Sequence, residues 1–273
     1  MSDKREAARR AALAAGAFVR ERFGEGRTGR ILEKKSKDFV TEVDTASEAM
    51  IKETLAAAFP SIGFLAEESA AAQTGDAFWI IDPLDGTTNF IHGYPAIGVS
   101  IALMERKRVT VACVCDPLRE ELFEAEAGGG AFLNGAPIRV SGARTLEESL
   151  LGTGFPFGAP EHLAAYLRVF GDLFNGCRDI RRAGAAVLDL SHVAAGRLDG
   201  FWELHLKPWD MAAGALIVRE AGGTVSDFFG RGGFLESGNI VAASPAVSGS
   251  IVDATKRHFT PESVAGLATH FLP

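Results

Sequence analysis

Three cysteines among 273 residues are too few for a disulfide framework. Cys113 and Cys115 alternate along an apolar run, which puts both on one strand face as packing residues, while Cys177 stands alone. With no CxxC pair, neither a thiolate metal site nor a cysteine nucleophile finds support. Basic charge is also in deficit. There are 28 Lys and Arg against 35 Asp and Glu, a net charge of -7, which argues against general binding to nucleic acid or anionic membrane. No apolar run approaches the ~18 residues of a membrane span. The N-terminal MSDKREAARRAALAAGAF is charged and helix-favouring, without the apolar centre of a signal peptide, so the chain reads as cytoplasmic. Repeats, low-complexity tracts and a long linker are missing too. The one soft boundary, near residues 141–149 (SGARTLEES), divides an α+β half (1–145) from an α/β half (146–273).

What is present is material for a large core: hydrophobic residues make up 47% and charged residues 23%. Residues 4–23 predict a first helix, Lys34 to Asp38 a polar connector, and Thr45-x-x-Glu48 a capping box that opens a second helix ending at Pro60. Apolar runs at 62–66 and 78–81 read as buried strands that each end on acidic residues. Alternation over 97–114 predicts a hairpin whose turn, Glu105-Arg106-Lys107-Arg108, reads as solvated. Strand pattern continues through 122–125 and 131–140, around an Asn134-Gly135 turn. The second half then alternates strands (150–153, 201–203, 240–242) with helices (162–174, 185–195, 208–221, 247–258), as an α/β layer does.

The chemistry gathers around Asp82-Pro83-Leu84-Asp85-Gly86-Thr87-Thr88-Asn89-Phe90. Two carboxylates three residues apart on a proline-stiffened turn suit a hard cation. Solvated aspartates in an Asx turn would look the same. Glu67 ends the preceding strand, and Asp210 opens a helix after Pro208, where a helix dipole alone would also place an acid. Spacing does not show whether these residues meet. If they do, their mutual repulsion calls for divalent cations, and an all-oxygen set suits Mg2+ or Mn2+ better than zinc. Backbone amides at Gly86 and Thr87 offer an anion pocket, which together with metals fits phosphate ester hydrolysis by activated water. Thr87 is either an N-cap or a hydroxyl that orients that water. Asp44 either favours a helix dipole or reaches the site.

Glu67-Glu68, the Asp82–Phe90 turn, and Trp209-Asp210-Met211-Ala212-Ala213-Gly214 with Glu220-Ala221-Gly222-Gly223 together resemble the inositol monophosphatase family, in order and over nearly the whole chain. The resemblance implies a layered αβαβα sandwich and a Mg2+-dependent, lithium-sensitive phosphomonoesterase, usually a homodimer. Carried over by position, Glu67, Asp82 and the Leu84 carbonyl hold one metal, Asp82, Asp85 and Asp210 a second, and Glu67 helps with a third. Thr87 and Glu67 orient the water, with Asp44 behind Thr87. Gly86 and Thr87 bind phosphate, and Lys34, or Lys35, is the site lysine. Glu203 and the segment Gly184-Ala185-Ala186 line the polyol pocket. Alanine at 185, where relatives often carry serine or threonine, removes one polar contact. Gly154-Phe155-Pro156-Phe157 looks like the bacterial branch, as a packed loop or a substrate contact. The implied substrate is myo-inositol 1-phosphate. Histidinol phosphate, fructose 1,6-bisphosphate and nucleotide 3′-phosphates are the alternatives, and a regulatory partnership with transcription or ribosome assembly machinery is a reading of another class.

Overall fold

Alternation along the strands sorts the core into layers. The computed structural model describes residues 2–24, 31–35, 38–69 and 75–264, with 31–35 and 38–40 described as backbone. The chain opens with α1 (Asp3–Gly24), a hairpin of β1 (Ile31–Lys35) and β2 (Asp38–Thr41), and α2 (Glu42–Ala58). Next come β3 (Gly63–Ala66), β4 (Ala77–Asp85), the short helix α3 (Thr87–His92), β5 (Gly98–Glu105), β6 (Arg108–Asp116), β7 (Glu121–Glu126), β8 (Ala131–Leu133) and β9 (Ala136–Ile138). The second half runs β10 (Leu150–Thr153), α4 (Leu163–Gly176), β11 (Asp179–Arg181), α5 (Ala186–Ala194), β12 (Gly200–Leu204) and α6 (Pro208–Glu220). It closes with β13 (Thr224–Ser226), α7 (Phe234–Ser237), β14 (Asn239–Ala243), α8 (Pro245–His258) and α9 (Pro261–Val264).

Strands β3 to β9 form a seven-stranded sheet in sequence order, parallel between β3 and β4 and antiparallel thereafter. A five-stranded sheet has the order β11-β10-β12-β14-β13, with β10 parallel to both its neighbours and β14 antiparallel to both of its own. Because side chains alternate across a strand, Trp79, Ile81, Val99, Ile101 and Cys113 pack toward α1 and α2. Their neighbours Phe78, Ile80, Ala102 and Ala112 pack toward α5 and α6, which also cover the inner face of the second sheet. The outer face of that sheet carries Trp202 and Val241, buried with residues of α4 and α8. The order helix, sheet, helix, sheet, helix is the expected αβαβα sandwich, and the cysteine pair is the packing pair expected.

Two local expectations are corrected. The stretch read as a polar connector contributes to paired strands, since β1 and β2 pair antiparallel with an irregularity between Glu33 and Lys35. The second helix starts at Glu42, earlier than a Thr45 cap allows. Its N-cap is Thr41, closed by Asp44 in a reciprocal capping box. Glu48 instead takes the backbone N–H of Glu68 at 2.8 Å and the Lys52 ammonium at 2.8 Å, tying α2 to the turn after β3.

The central helices touch through Gly214, where an added Cβ would lie 2.5 Å from the Leu190 Cβ. That atom is fixed to the α5 backbone and no rotamer change moves it. Gly214→Ala is therefore expected to destabilise by about 1–3 kcal/mol despite alanine's better helix propensity, read as a lower urea midpoint with unchanged m-value.

Candidate active site

Asp82 lies within β4 and Asp85 at its end, with two β4 residues (Pro83 and Leu84) opposite one of β5 (Val99) between the pairs Asp82–Ser100 and Asp85–Gly98. This bulge re-aims the strand end, as bulges do next to functional sites. The turn is then fixed from several sides. Leu84 donates its N–H to Asp82 Oδ1 at 3.1 Å, and Ser47 on α2 donates its hydroxyl to the Pro83 carbonyl at 2.8 Å. Gly86 follows at φ 88°, in the left-handed region, and an added Cβ would sit 2.7 Å from the Ala96 carbonyl oxygen. Only glycine meets both conditions. The Asn89 amide nitrogen donates to the carbonyls of Ala96, Ala183 and Gly184 at 2.7, 3.0 and 3.2 Å, which staples α3 to the loop before α5.

Two hydrogen bonds across the layers bring the second half to this turn. Ser100, the ladder partner of Asp82, donates its hydroxyl to the Trp209 carbonyl at 3.2 Å, beside Asp210. Val187, in the first turn of α5, donates its N–H to Asp85 Oδ2 at 2.8 Å. Asp210 itself takes the Lys207 N–H at 2.7 Å, closing the start of α6 behind Pro208. Asp82, Asp85 and Asp210 thus each have one oxygen held by a backbone amide, so their positions belong to the scaffold and not to flexible loop tips.

Burial dominates what remains, with like charge adding to it. Burial pushes the Asp82 carboxyl well above its ordinary range, and Glu67, Asp85 and Asp210 add to the effect. Burial and the Asp210 charge push Asp85 up to about 7, partly offset by the Val187 and Gly86 amides and by Arg182. Asp210 is pushed up to about 6 by burial, opposed by Lys207 and by a hydrogen bond to the Asp82 carboxyl. Among the described residues, no three His, Cys, Asp or Glu side chains close around an ion position as they lie. The donor chemistry nevertheless fits a hard divalent cation, whose charge would offset the cost of ionising these buried carboxyls.

Thr87 does not cap α3; its N-cap is Gly86, with no side-chain cap bond. The Thr87 hydroxyl lies 2.9 Å from Asp44 Oδ1 and 3.2 Å from the Leu84 carbonyl. Asp44 is fully buried, and its other oxygen takes the Thr41 N–H and hydroxyl at 2.8 and 2.5 Å. Burial raises its pKa despite those bonds. One Asp44 oxygen thus closes the start of α2, and the other meets Thr87.

Glu203 on β12 is pushed well above its ordinary range by burial and by Asp189, Asp210 and Asp85, against the opposing Arg182 charge. Its carboxylate occupies the space where a side chain at 154 would begin, which gives Gly154 of the Gly-Phe-Pro-Phe loop its reason. The loop also carries Phe155 and Phe157, whose ring centroids lie 6.0 and 5.2 Å from the Arg182 guanidinium carbon. Ala185 and Ala186 are buried in the central layer, so what they bring near the site is backbone. The side chains of Lys34 and Lys35 lie outside the described residues. Sequence reasoning passed over three neighbours: Arg182, the Val187 amide, and Asp189, a buried carboxyl raised by burial and Asp85. Only Asp189 carried a signal, an acid in the middle of an otherwise apolar helix.

The model of the family described as inositol monophosphatase matches residues 1–260. The chain belongs to the inositol monophosphatase family. It is 49% identical over 240 residues to the Nus factor SuhB of Escherichia coli K12, covering 87% of this chain and 90% of that one. With the Nus factor SuhB of Pseudomonas aeruginosa it shares 48% over 258 residues, 92% and 95% of the two chains. Among solved structures, the extragenic suppressor protein suhB of Bartonella henselae matches with a TM-score of 0.89 at 40% identity, over 93% of this chain and 98% of that one. The IMPase of Thermotoga maritima matches at 0.82 and 35%, over 95% and 97%. Among the described residues no helix is long and apolar enough to cross a membrane.

A raised carboxyl pKa lowers stability once the group ionises. For Asp85 the cost is absent below its ordinary 3.8 and complete above about 7. In EDTA the protein is therefore expected to lose stability as pH rises from 4 to 8. Mg2+ should restore it at pH 8, and Asp85→Asn should raise the metal-free melting temperature at pH 8 but not at pH 4. Calorimetric melting curves at the two pH values check all three.

Proposed function

We propose that this chain is a Mg2+-dependent phosphomonoesterase of the inositol monophosphatase type, with myo-inositol 1-phosphate as substrate and myo-inositol and inorganic phosphate as products. The observation that carries the reading is the approach of Glu67 and Asp210 to the Asp82–Asp85 turn: the Glu67 N–H meets the Ile81 carbonyl beside Asp82, and Ser100, the ladder partner of Asp82, meets the Trp209 carbonyl beside Asp210. In this reading Glu67, Asp82 and the Leu84 carbonyl hold one cation, Asp82, Asp85 and Asp210 a second, and Glu67 contributes to a third. Bound cations supply neutralisation of the phosphate oxygens and a lowered pKa for the attacking water.

The chain's own residues do the rest. Thr87 gives its single hydroxyl proton to Asp44 or the Leu84 carbonyl. Its oxygen is then an acceptor for a hydrogen of the attacking water, and Glu67 takes the water's proton. Backbone amides at the start of α3 receive phosphate. The Gly86 amide is shared with Asp85, whose carboxyl it stabilises. Glu203, set on a strand and backed by Gly154, binds the hydroxyls of the alcohol. Lys34 or Lys35 serves as the site lysine, and the assembly is a homodimer inhibited by lithium.

Phosphate release is expected to be strongest for myo-inositol 1-phosphate over histidinol phosphate, fructose 1,6-bisphosphate and nucleotide 3′-phosphates, and to vanish without Mg2+. Asp85→Asn should lower kcat by about 10²-fold or more. Unchanged turnover in that variant sinks the metal assignment, whereas a preference for histidinol phosphate changes only the substrate. Glu203→Gln should raise KM for the inositol ester while leaving turnover of a simple aryl phosphate near the parent value.

A second reading rests on the relatives named Nus factor. On that reading the chain also binds transcription machinery through protein contacts, since its net charge of -7 disfavours direct RNA binding. Retention of RNA polymerase on the immobilised chain supports it, and a clean wash-through at low salt removes it.

A further inference from the structure

Beside α6, lined from Ala212 to Glu220, lies a cavity of about 860 Å³ between that helix, the β5–β6 turn and α7. The volume is within the range of small-molecule sites. Its apolar wall includes Leu216, Phe234 and Val109, and its rim is crowded with charge. Four cations line it: Arg106, Lys107, Arg108 and Arg219. None of the four forms a salt bridge among the described residues; Arg219 lies over the Phe234 ring at 5.1 Å and donates weakly to the Val225 carbonyl at 3.4 Å.

Three acids also line the cavity, but two are already engaged. Glu105 accepts from Lys4 at 2.6 Å and Thr110 at 2.7 Å. Glu220 accepts the N–H groups of Gly128 and Gly130 at 2.8 and 2.9 Å. Glu236 is left as the one acid with neither a hydrogen bond nor an ion pair among the described residues. The cavity is thus locally cationic on a protein that is acidic overall.

The turn itself shows where the cations come from. Arg106 and Lys107 both stand at positive φ, 50° and 63°, in a two-residue hairpin turn where Asn-Gly fits without strain. Two long cationic side chains occupy these positions at a conformational cost. Arg106, Lys107 and Arg108 are exposed, as the sequence leads one to expect of this turn, and they also form one wall of the cavity.

We infer that this cavity is a binding site for a small organic anion, carrying phosphate, sulfonate or carboxylate on a flat apolar body of about nucleotide size. The cations take the anionic group, and the Leu216–Phe234 wall takes the body, with the Arg219 guanidinium over Phe234 as a planar surface for stacking. The site is separate from the carboxylate cluster and does not depend on the reading given to that cluster.

The test uses anilinonaphthalene sulfonate as probe, with the full-length chain in EDTA so that no cation draws anions to the carboxylates. Titration by fluorescence and calorimetry is expected to show one saturable site, from which adenosine monophosphate displaces the dye. The variant Arg106→Asn with Lys107→Gly relaxes the turn, so it should melt no lower than the parent while binding the dye about tenfold more weakly. Glu236→Gln removes the opposing charge and should tighten binding severalfold. Parental affinity in the turn variant, or no effect in both variants, overturns the site. Failure of Mg2+-dependent hydrolysis leaves this result untouched.

Discussion

Repulsion among buried carboxylates is the constraint on which the rest of this structure depends. Burial at the junction of two sheets raises the proton affinity of Asp82, Asp85 and Asp210, and the neighbouring carboxylates add to it at Asp82 and Asp85. Such a cluster is unfavourable unless its positions are imposed from outside. Backbone N–H groups of Leu84, Val187 and Lys207 impose them, one on each aspartate. Each of those amides belongs to a different element, so the cluster holds only when β4, α5 and α6 are all in place.

The layered architecture follows from the same requirement. Helices α5 and α6 form the middle layer, buried between the two sheets, and both start beside the end of β4. On the other side of the seven-stranded sheet, α2 sends Asp44 and Ser47, one turn apart, to Thr87 and Pro83. The turn is gripped from both faces of its sheet. Small residues appear where these layers touch, at Gly86, Gly154 and Gly214, because a Cβ there would meet the Ala96 carbonyl, the Glu203 carboxylate or Leu190.

How much of this was legible depended on range. The Asp-Pro-Leu-Asp-Gly turn was readable because proline, glycine and the paired acids act within a few residues. The strands that end on acids were readable as short apolar runs, and the αβαβα order came from the family resemblance. The meeting of Asp210 and Val187 with the turn rests on bonds between residues 109 and 102 positions apart, which no local pattern encodes. Local rules also failed where two were equally satisfied. Thr41-x-x-Asp44 and Thr45-x-x-Glu48 both look like helix starts, and the first holds because Asp44 also meets the Thr87 hydroxyl from across the sheet. Arg182 was invisible because an arginine beside Arg181 looks like solvated surface, while the fold sets it over Phe157 and within the field of Glu203.

If divalent cations ionise this cluster when they bind, proton release must accompany binding. Mg2+ titrated into the stripped protein at pH 6.5, by calorimetry in two buffers of different ionisation enthalpy, should release protons, and clearly fewer at pH 8.5. Mg2+ binding with no proton release at pH 6.5, or no Mg2+ binding at either pH, would contradict the account.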